Sequence, residues 1–407
     1  MIKKIILGTF SLIILFILFS QGYINNFFVT ESGSGAYFAD WQFVVNAIKC
    51  KSSLQTCPLI DLGGLFLLLP YTDKLNQFYQ IFPILLIILF VFYVIKIIEL
   101  KNSKYAFLSL LLIFNPSSIL ALERANTDVI FFIILLFICY SRFFWANAIL
   151  INISFLAKYY PITFFINFLI EKKDRSNFTS LLLIILSFFI CIAFIYFDEH
   201  GLKAMVGSPG ETHFRTGAGW GYLFSVKAIP RILKYLFDFN YIVLLIFFYS
   251  FFIFLTIKFY KFFKKSNIFK SLTLYNIEDR FFILGINTLL LCFLLFSNYY
   301  YREIFLILSL PLLIKLKNQK ESKEINYIFI FIILRYLFLF IYNYIMIQET
   351  HYFEDNQRIF HNSFLFIETI KGILDFVLIS VLSSFLIHYN TIILKKLFFF
   401  TLQKNPE

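Results

Sequence analysis

The stretch NPSSILALERANTDVIFFIILLFICYSRFFWANAILINISFLAKYYP, residues Asn115 to Pro161, decides how the rest of the chain is read. Two polar islands interrupt its apolar run. One is Glu123-Arg124-Ala125-Asn126-Thr127-Asp128, the other Lys158-Tyr159-Tyr160-Pro161. An ionisable group inside a bilayer or at its edge costs about 2.5–3.5 kcal/mol on insertion scales, so it is rare without a partner or a task. The islands read as two walls of one polar site at the outer face of a membrane, positioned by the remainder of the chain.

That remainder has the composition of a membrane protein. Of 407 residues, 60% are hydrophobic and only 15% charged. Apolar runs of about 18 residues or more recur, as in helices that cross a bilayer. They lack the period-2 alternation of a β-barrel. The expected fold is all-α and polytopic, a single integral membrane domain over 1–407 with about twelve transmembrane helices. The expected spans are Ile5–Ile24, Gln77–Ile98, Tyr105–Leu122, Thr127–Ser141, the half-length pair Phe144–Ala157 and Tyr159–Ile170, Phe178–Phe197, Phe239–Tyr260, Phe281–Phe296, Glu303–Ile314, Ile325–Ile347 and Glu368–His388. Asn115-Pro116 predicts a break in the third, because proline removes a helix donor. Leu59–Leu69 is too short to span and carries Gly63-Gly64, which suits a re-entrant segment. The outer loops are 25–76 and 198–237. In the first, Tyr37, Trp41, Val44 and Val45 repeat at helical spacing, the pattern of a helix lying at the interface.

The formal net charge of +12 follows from this topology. The inner segments hold 22 of the 36 Lys and Arg, the outer ones 12, and two, Arg335 and Lys371, fall inside spans. The positive-inside rule then places both termini in the cytoplasm. It leaves little reason to invoke nucleic acid as a partner. Cys50 and Cys57 share the first outer loop, where a disulfide can form. No zinc spacing, Walker loop or dinucleotide fingerprint is present.

With short basic connectors inside and large polar loops outside, the chemistry is expected at the outer leaflet. Asp40 is the candidate general base; the plainer reading is a helix cap or a solvated loop acid. Glu123, Arg124, Asn126 and Asp128 suit either substrate binding or an ion-paired helix start, with Asn126 or Thr127 as cap and Asp128 favouring the N-terminus. Lys158 either snorkels to the interface or holds a lipid phosphate as a point charge, and Pro161 suits the start of a helix. His213 and Arg215 lie in a glycine-bearing loop that can order over a substrate, and Tyr301 and Arg302 sit in the cluster Tyr299–Glu303. Five of the nine Arg fall outside in this topology. Arginine, with its planar fork, suits phosphate and carboxylate recognition.

At these residues the sequence resembles the GT-C superfamily of polytopic glycosyltransferases, and most closely glycosyltransferase family 87, the polyprenol-phosphate-mannose-dependent type. The likeness rests on Asp40 in the first outer loop, Asn115-Pro116 ahead of Glu123-Arg124-Ala125-Asn126-Thr127-Asp128, the Lys158-x-x-Pro161 step, and Tyr301-Arg302 with Pro311 beyond. It covers roughly residues 30–315. The family's usual glycine before the asparagine of the Glu123–Asp128 island is Ala125 here. The resemblance implies a hexosyltransferase of the cytoplasmic (inner) membrane with an extracytoplasmic active site. A sugar passes from a polyprenyl-phosphate-sugar donor to a lipid-linked or glycan acceptor, with inversion and with Asp40 as base. It implies phosphate contacts for Arg124, Lys158, Arg215 and Arg302, and no metal or other cofactor. The competing reading is a polytopic transporter or lipid flippase, for which Arg335, Lys371 and Asp375 are the deeper charges available.

Overall fold

The computed structural model describes residues 2–20, 38–52, 70–98, 103–141, 143–170, 177–197, 223–265, 276–295, 298–318, 323–350 and 362–400. The described chain is almost entirely helical. In order it forms α1 (Ile2–Ser20), α2 (Ala39–Ser52), α3 (Asp73–Ile97), α4 (Ser103–Ile113), α5 (Pro116–Glu123), α6 (Thr127–Tyr140) and α7 (Phe144–Ala157). A 3-10 segment, Tyr160–Ile166, leads into α8 (Asn167–Ile170) and α9 (Asn177–Phe197). Next come α10 (Ala228–Phe237), α11 (Tyr241–Lys265) and α12 (Ile277–Leu295). A second 3-10 segment, Tyr300–Ser309, precedes α13 (Leu310–Asn318), α14 (Lys323–Thr350) and α15 (Asn362–Phe400). The exception to helix is a short antiparallel pair, β1 (Leu223–Phe224) with β2 (Asn298–Tyr299), in the register Leu223↔Tyr299.

Five of these helices are long and apolar enough to cross a membrane, or six if the bent α4–α5 pair counts as one span. The chain is thus a polytopic helical membrane protein, but twelve complete crossings are not reached among the described residues. The runs 127–140, 144–157, 160–170 and 181–190 are shorter apolar helices. A helix apolar all round is one buried all round, and lipid is not the only apolar surrounding. Helix α6 illustrates this: ten of its 14 side chains are buried, and its 14 residues reach about 21 Å against roughly 30 Å of hydrocarbon. By contrast α1, α9 and α11 leave Ile6, Phe16, Phe189, Ile246 and Phe247 exposed, as surfaces in contact with lipid tails would be.

The expected break at Asn115-Pro116 is present. Helices α4 and α5 meet at 46°. Asn115 caps α5, its Oδ1 accepting from Ser117 N at 3.0 Å and Ser117 Oγ at 2.7 Å, with Pro116 in the first turn. Its Nδ2 donates to Tyr336 O at 3.2 Å, which fixes the break against α14. At the centre of the bundle α12 packs against α6, α13, α15 and both 3-10 segments. Gly285 permits this: a Cβ there would lie 2.6 Å from Leu308 Cβ and 3.1 Å from the Phe305 carbonyl oxygen.

One end of the bundle carries both polar islands. The other end carries Lys96 over the Tyr140 ring, Arg280 donating to Ile138 O at 2.8 Å and Asn167 Oδ1 at 2.9 Å, and Lys315 at 3.8 Å from Glu278.

Candidate functional site

The scaffold of the site is the turn between α5 and α6. It closes with Ala125 N donating to Leu122 O at 3.0 Å and Asn126 N to Ala121 O at 2.9 Å. Ala125 has φ +46°, in the left-handed region. There a residue with a Cβ costs about 1–2 kcal/mol, so glycine is the natural occupant. The Ala125 methyl instead packs with Trp41, Val44, Ile48 and Tyr79 in a small apolar cluster.

Helix α2 is docked on this turn by its backbone. Phe38 N donates to Glu123 O at 2.8 Å, and Asp40 N and Trp41 N donate to Arg124 O at 3.2 and 3.4 Å. Amides in the first turn of a helix have no partner within it, and here neighbouring carbonyls supply one. Trp41 Nε1 donates to Tyr79 O at 2.7 Å, and its ring lies 4.6 Å from that of Phe82. The tryptophan expected at a membrane interface is therefore a buried peg between α2 and α3.

This docking brings Asp40 to the Glu123–Asp128 island. Arg124 Nε donates to Asp40 Oδ1 at 2.9 Å, Arg124 Nη2 donates to the same oxygen, and Asn126 Nδ2 donates to Oδ2. Asn126 serves twice, because its Oδ1 accepts from Asp128 N at 2.8 Å and so caps α6. A carboxylate has about four lone-pair positions. These three contacts leave one on Oδ2, with the side chain 21% exposed.

The other half of the site centres on Asp128, which is fully buried in the first turn of α6. Its Oδ1 accepts from Lys158 Nζ and from the Tyr160 hydroxyl at 2.9 Å; its Oδ2 accepts from Arg302 Nε at 2.9 Å. Lys158 Nζ also donates to Thr127 Oγ1 at 3.1 Å. Lys158 is the C-cap of α7, and its side chain, 7% exposed, turns to Asp128. The Arg302 guanidinium lies over the Tyr160 ring at 5.3 Å, and its buried Nη1 has no hydrogen-bond partner among the described residues. Asp128, Lys158 and Arg302 together carry one excess positive charge.

The halves belong to one site. Asn126 joins them, contacting Asp40 through Nδ2 and the Asp128 amide through Oδ1, and the buried Tyr301 precedes Arg302 in the chain. Of the ten residues singled out in the sequence, Asp40, Glu123, Arg124, Asn126, Asp128, Lys158, Tyr301 and Arg302 are placed at this end of the bundle. Glu123 enters through its carbonyl at the α2 docking point. His213 and Arg215 lie outside the described residues, as do Cys57 and the segment Leu59–Leu69. Cys50 is disulfide-bonded.

Two residues take partners that the sequence did not name. Arg124, expected on a phosphate, forms the ion pair with Asp40. Asp128, read as a substrate or helix-start residue, is the resident counter-ion of the two deeper cations. Tyr160 was not singled out, although its phenol completes the Asp128 shell. Its position two residues after Lys158 was the available signal. No family model, curated protein or solved structure matches the chain.

Proposed function

We propose that the protein is a membrane glycosyltransferase of the GT-C type, taking a sugar from a polyprenyl-phosphate-sugar and transferring it to a lipid-linked or glycan acceptor. Mannose is the sugar the resemblance favours. The observation that carries the reading is the imbalance at Asp128: two buried cations share one carboxylate, and Arg302 Nη1 still has a donor to offer. Positive charge is in local excess beside Asp128, which suits an anion, and a phosphate leaving group supplies one.

In this mechanism the Oδ2 lone pair of Asp40 takes the proton of the acceptor hydroxyl. The acceptor oxygen forms a bond to the anomeric carbon as the bond from that carbon to the phosphate oxygen breaks. The electron pair leaves with the polyprenyl phosphate, and one displacement inverts the anomeric centre. Lys158 and Arg302 stabilise the charge growing on the phosphate where little water competes. Arg124 and Asn126 hold Asp40 in a fixed orientation. The basic groups at the far end of the bundle, Lys96, Arg280 and Lys315, support an extracytoplasmic site under the positive-inside rule.

The transporter or flippase reading draws on the deep charges Arg335, Lys371 and Asp375. They pair with one another and with Glu303, which suits a fixed pillar better than a path. The test offers labelled polyprenyl-phosphate-sugars to the purified protein with and without Asp40→Asn. Transfer falls by about 10²–10⁴ in the variant, as for loss of a general base, while membrane insertion is kept. Near-normal transfer by a correctly inserted variant would sink the proposal.

A further inference from the structure

Behind the site lies a second group of buried charges. Arg335 Nη2 donates to Glu303 Oε1 at 2.6 Å, and Arg335 Nε donates to Asp375 Oδ1 at 2.8 Å. Lys371 Nζ donates to Asp375 Oδ2 at 3.0 Å and stands 3.9 Å from Glu303 Oε1. All four side chains are at most 2% exposed. Glu303 follows Arg302 directly, and both lie in the first turn of the Tyr300–Ser309 3-10 segment.

We propose that Arg335 is a positioning residue for Arg302, acting through Glu303; the functional consequence rests on the reading of Lys158 and Arg302 as the phosphate-holding pair. Successive residues of a 3-10 helix point about 120° apart. The turn is therefore held from two sides, by Arg302 on Asp128 of α6 and by Glu303 on Arg335 of α14. It cannot rotate to improve one pair without breaking the other. The next residue of α14, Tyr336, accepts from Asn115 Nδ2 at 3.2 Å, so the same stretch also braces the helix that ends at Glu123. Helix α14 thus sets the distance between the wall bearing Arg302 and the wall bearing Arg124. Asp375 and Lys371 on α15 keep Arg335 aimed at Glu303 and balance its charge.

The test uses the full chain in lipid nanodiscs. Arg335→Met combined with Asp375→Leu removes one charge of each sign, so the variant avoids a lone buried ion. The first readout is the Nε–H resonance of Arg302 in protein labelled at arginine, identified among the nine arginines by its loss in Arg302→Lys. It should move in the double variant toward its position in Asp128→Asn, where the Arg302 pair is weakened. The second readout is the Kd for farnesyl phosphate, a short polyprenyl phosphate, which should rise about 10-fold or more for a lost charge-assisted contact. A folded double variant with an unmoved Arg302 resonance overturns the proposal, whatever the Kd does. If the wild-type chain binds no farnesyl phosphate, the phosphate reading fails, and the resonance still decides the positioning role. If the double variant does not fold, Arg335→Lys replaces it: a lysine cannot span Glu303 and Asp375 together, so a partial shift is expected and no shift overturns the proposal.

Discussion

Replacing Asp128 by asparagine isolates the electrostatics of the site without changing its shape. Asparagine keeps an acceptor oxygen for the Tyr160 hydroxyl, but it leaves Lys158 and Arg302 buried with no countercharge between them. Removing one partner of a buried ion pair costs about 3–5 kcal/mol, and the near-zero exposure of these side chains leaves no solvent screening to soften it. Lys158→Met alone is milder. Asp128 retains Arg302 and Tyr160, so the loss is that of one charged hydrogen bond, about 1.5–3 kcal/mol. Adding the two would give roughly 4.5–8 kcal/mol. The combined variant should cost less, about 3–5 kcal/mol, because only Arg302 then lacks a partner. A coupling of about 1–3 kcal/mol is expected. Unfolding in mixed micelles by titration with sodium dodecyl sulfate, followed by far-ultraviolet circular dichroism, measures all three. Additivity within about 0.5 kcal/mol would refute the shared-carboxylate arrangement.

Substitutions at three further positions probe the scaffold. Ala125→Gly should change the unfolding free energy by no more than about 1 kcal/mol, because relief of the left-handed backbone is offset by chain entropy and a lost methyl contact; Ala125→Val should cost about 1–3 kcal/mol, since branching at a positive φ adds strain. Gly285→Ala should cost about 1–3 kcal/mol in the same assay, since the methyl meets Leu308 Cβ at 2.6 Å, and an unchanged midpoint would mean that α12 and the 3-10 segment do not cross so closely. Asn126→Ala should lose about 1 kcal/mol of helix capping together with the contact to Asp40, whereas Asn126→Ser restores the cap alone. If Asn126 orients Asp40, sugar transfer stays low in both variants; recovery in Asn126→Ser would confine the residue to capping.

What the sequence revealed was local. The break at Asn115-Pro116, the cap at Asn126 and the step at Lys158 follow from proline chemistry, side-chain acceptors at helix starts and the end of an apolar run. The charges of the islands were visible because they stand out against their surroundings. The pairing between them was hidden. Arg302 reaches Asp128, and Arg335 reaches both Glu303 and Asp375, across sequence distances that periodicity does not address. That is why Asp128 was read by its neighbours in the chain, as a helix-start residue, and not by its neighbours in space. Against about twelve expected spans, the described residues hold five helices long and apolar enough to cross, or six with the bent pair, and the count was hard to read for a related reason. In a chain with 59 phenylalanines, a short helix enclosed by protein and one enclosed by lipid have the same composition. Only the packing of α6 against α3, α7 and α12 distinguishes them.

The ion pairs between α14 and α15 bear on how the chain is assembled. Translation delivers Arg335 after Glu303 but before Asp375, so a guanidinium still lacking one of its two carboxylates lies near the middle of a membrane helix, where an unmatched charge is costly. Helix α14 is then expected to stay in contact with the insertion machinery until α15 emerges, so that the two enter lipid with Asp375 already on Arg335. A nascent chain truncated after Thr350 should leave α14 open to alkylation at an introduced cysteine, and Arg335→Leu in the same truncation should let it integrate unaided.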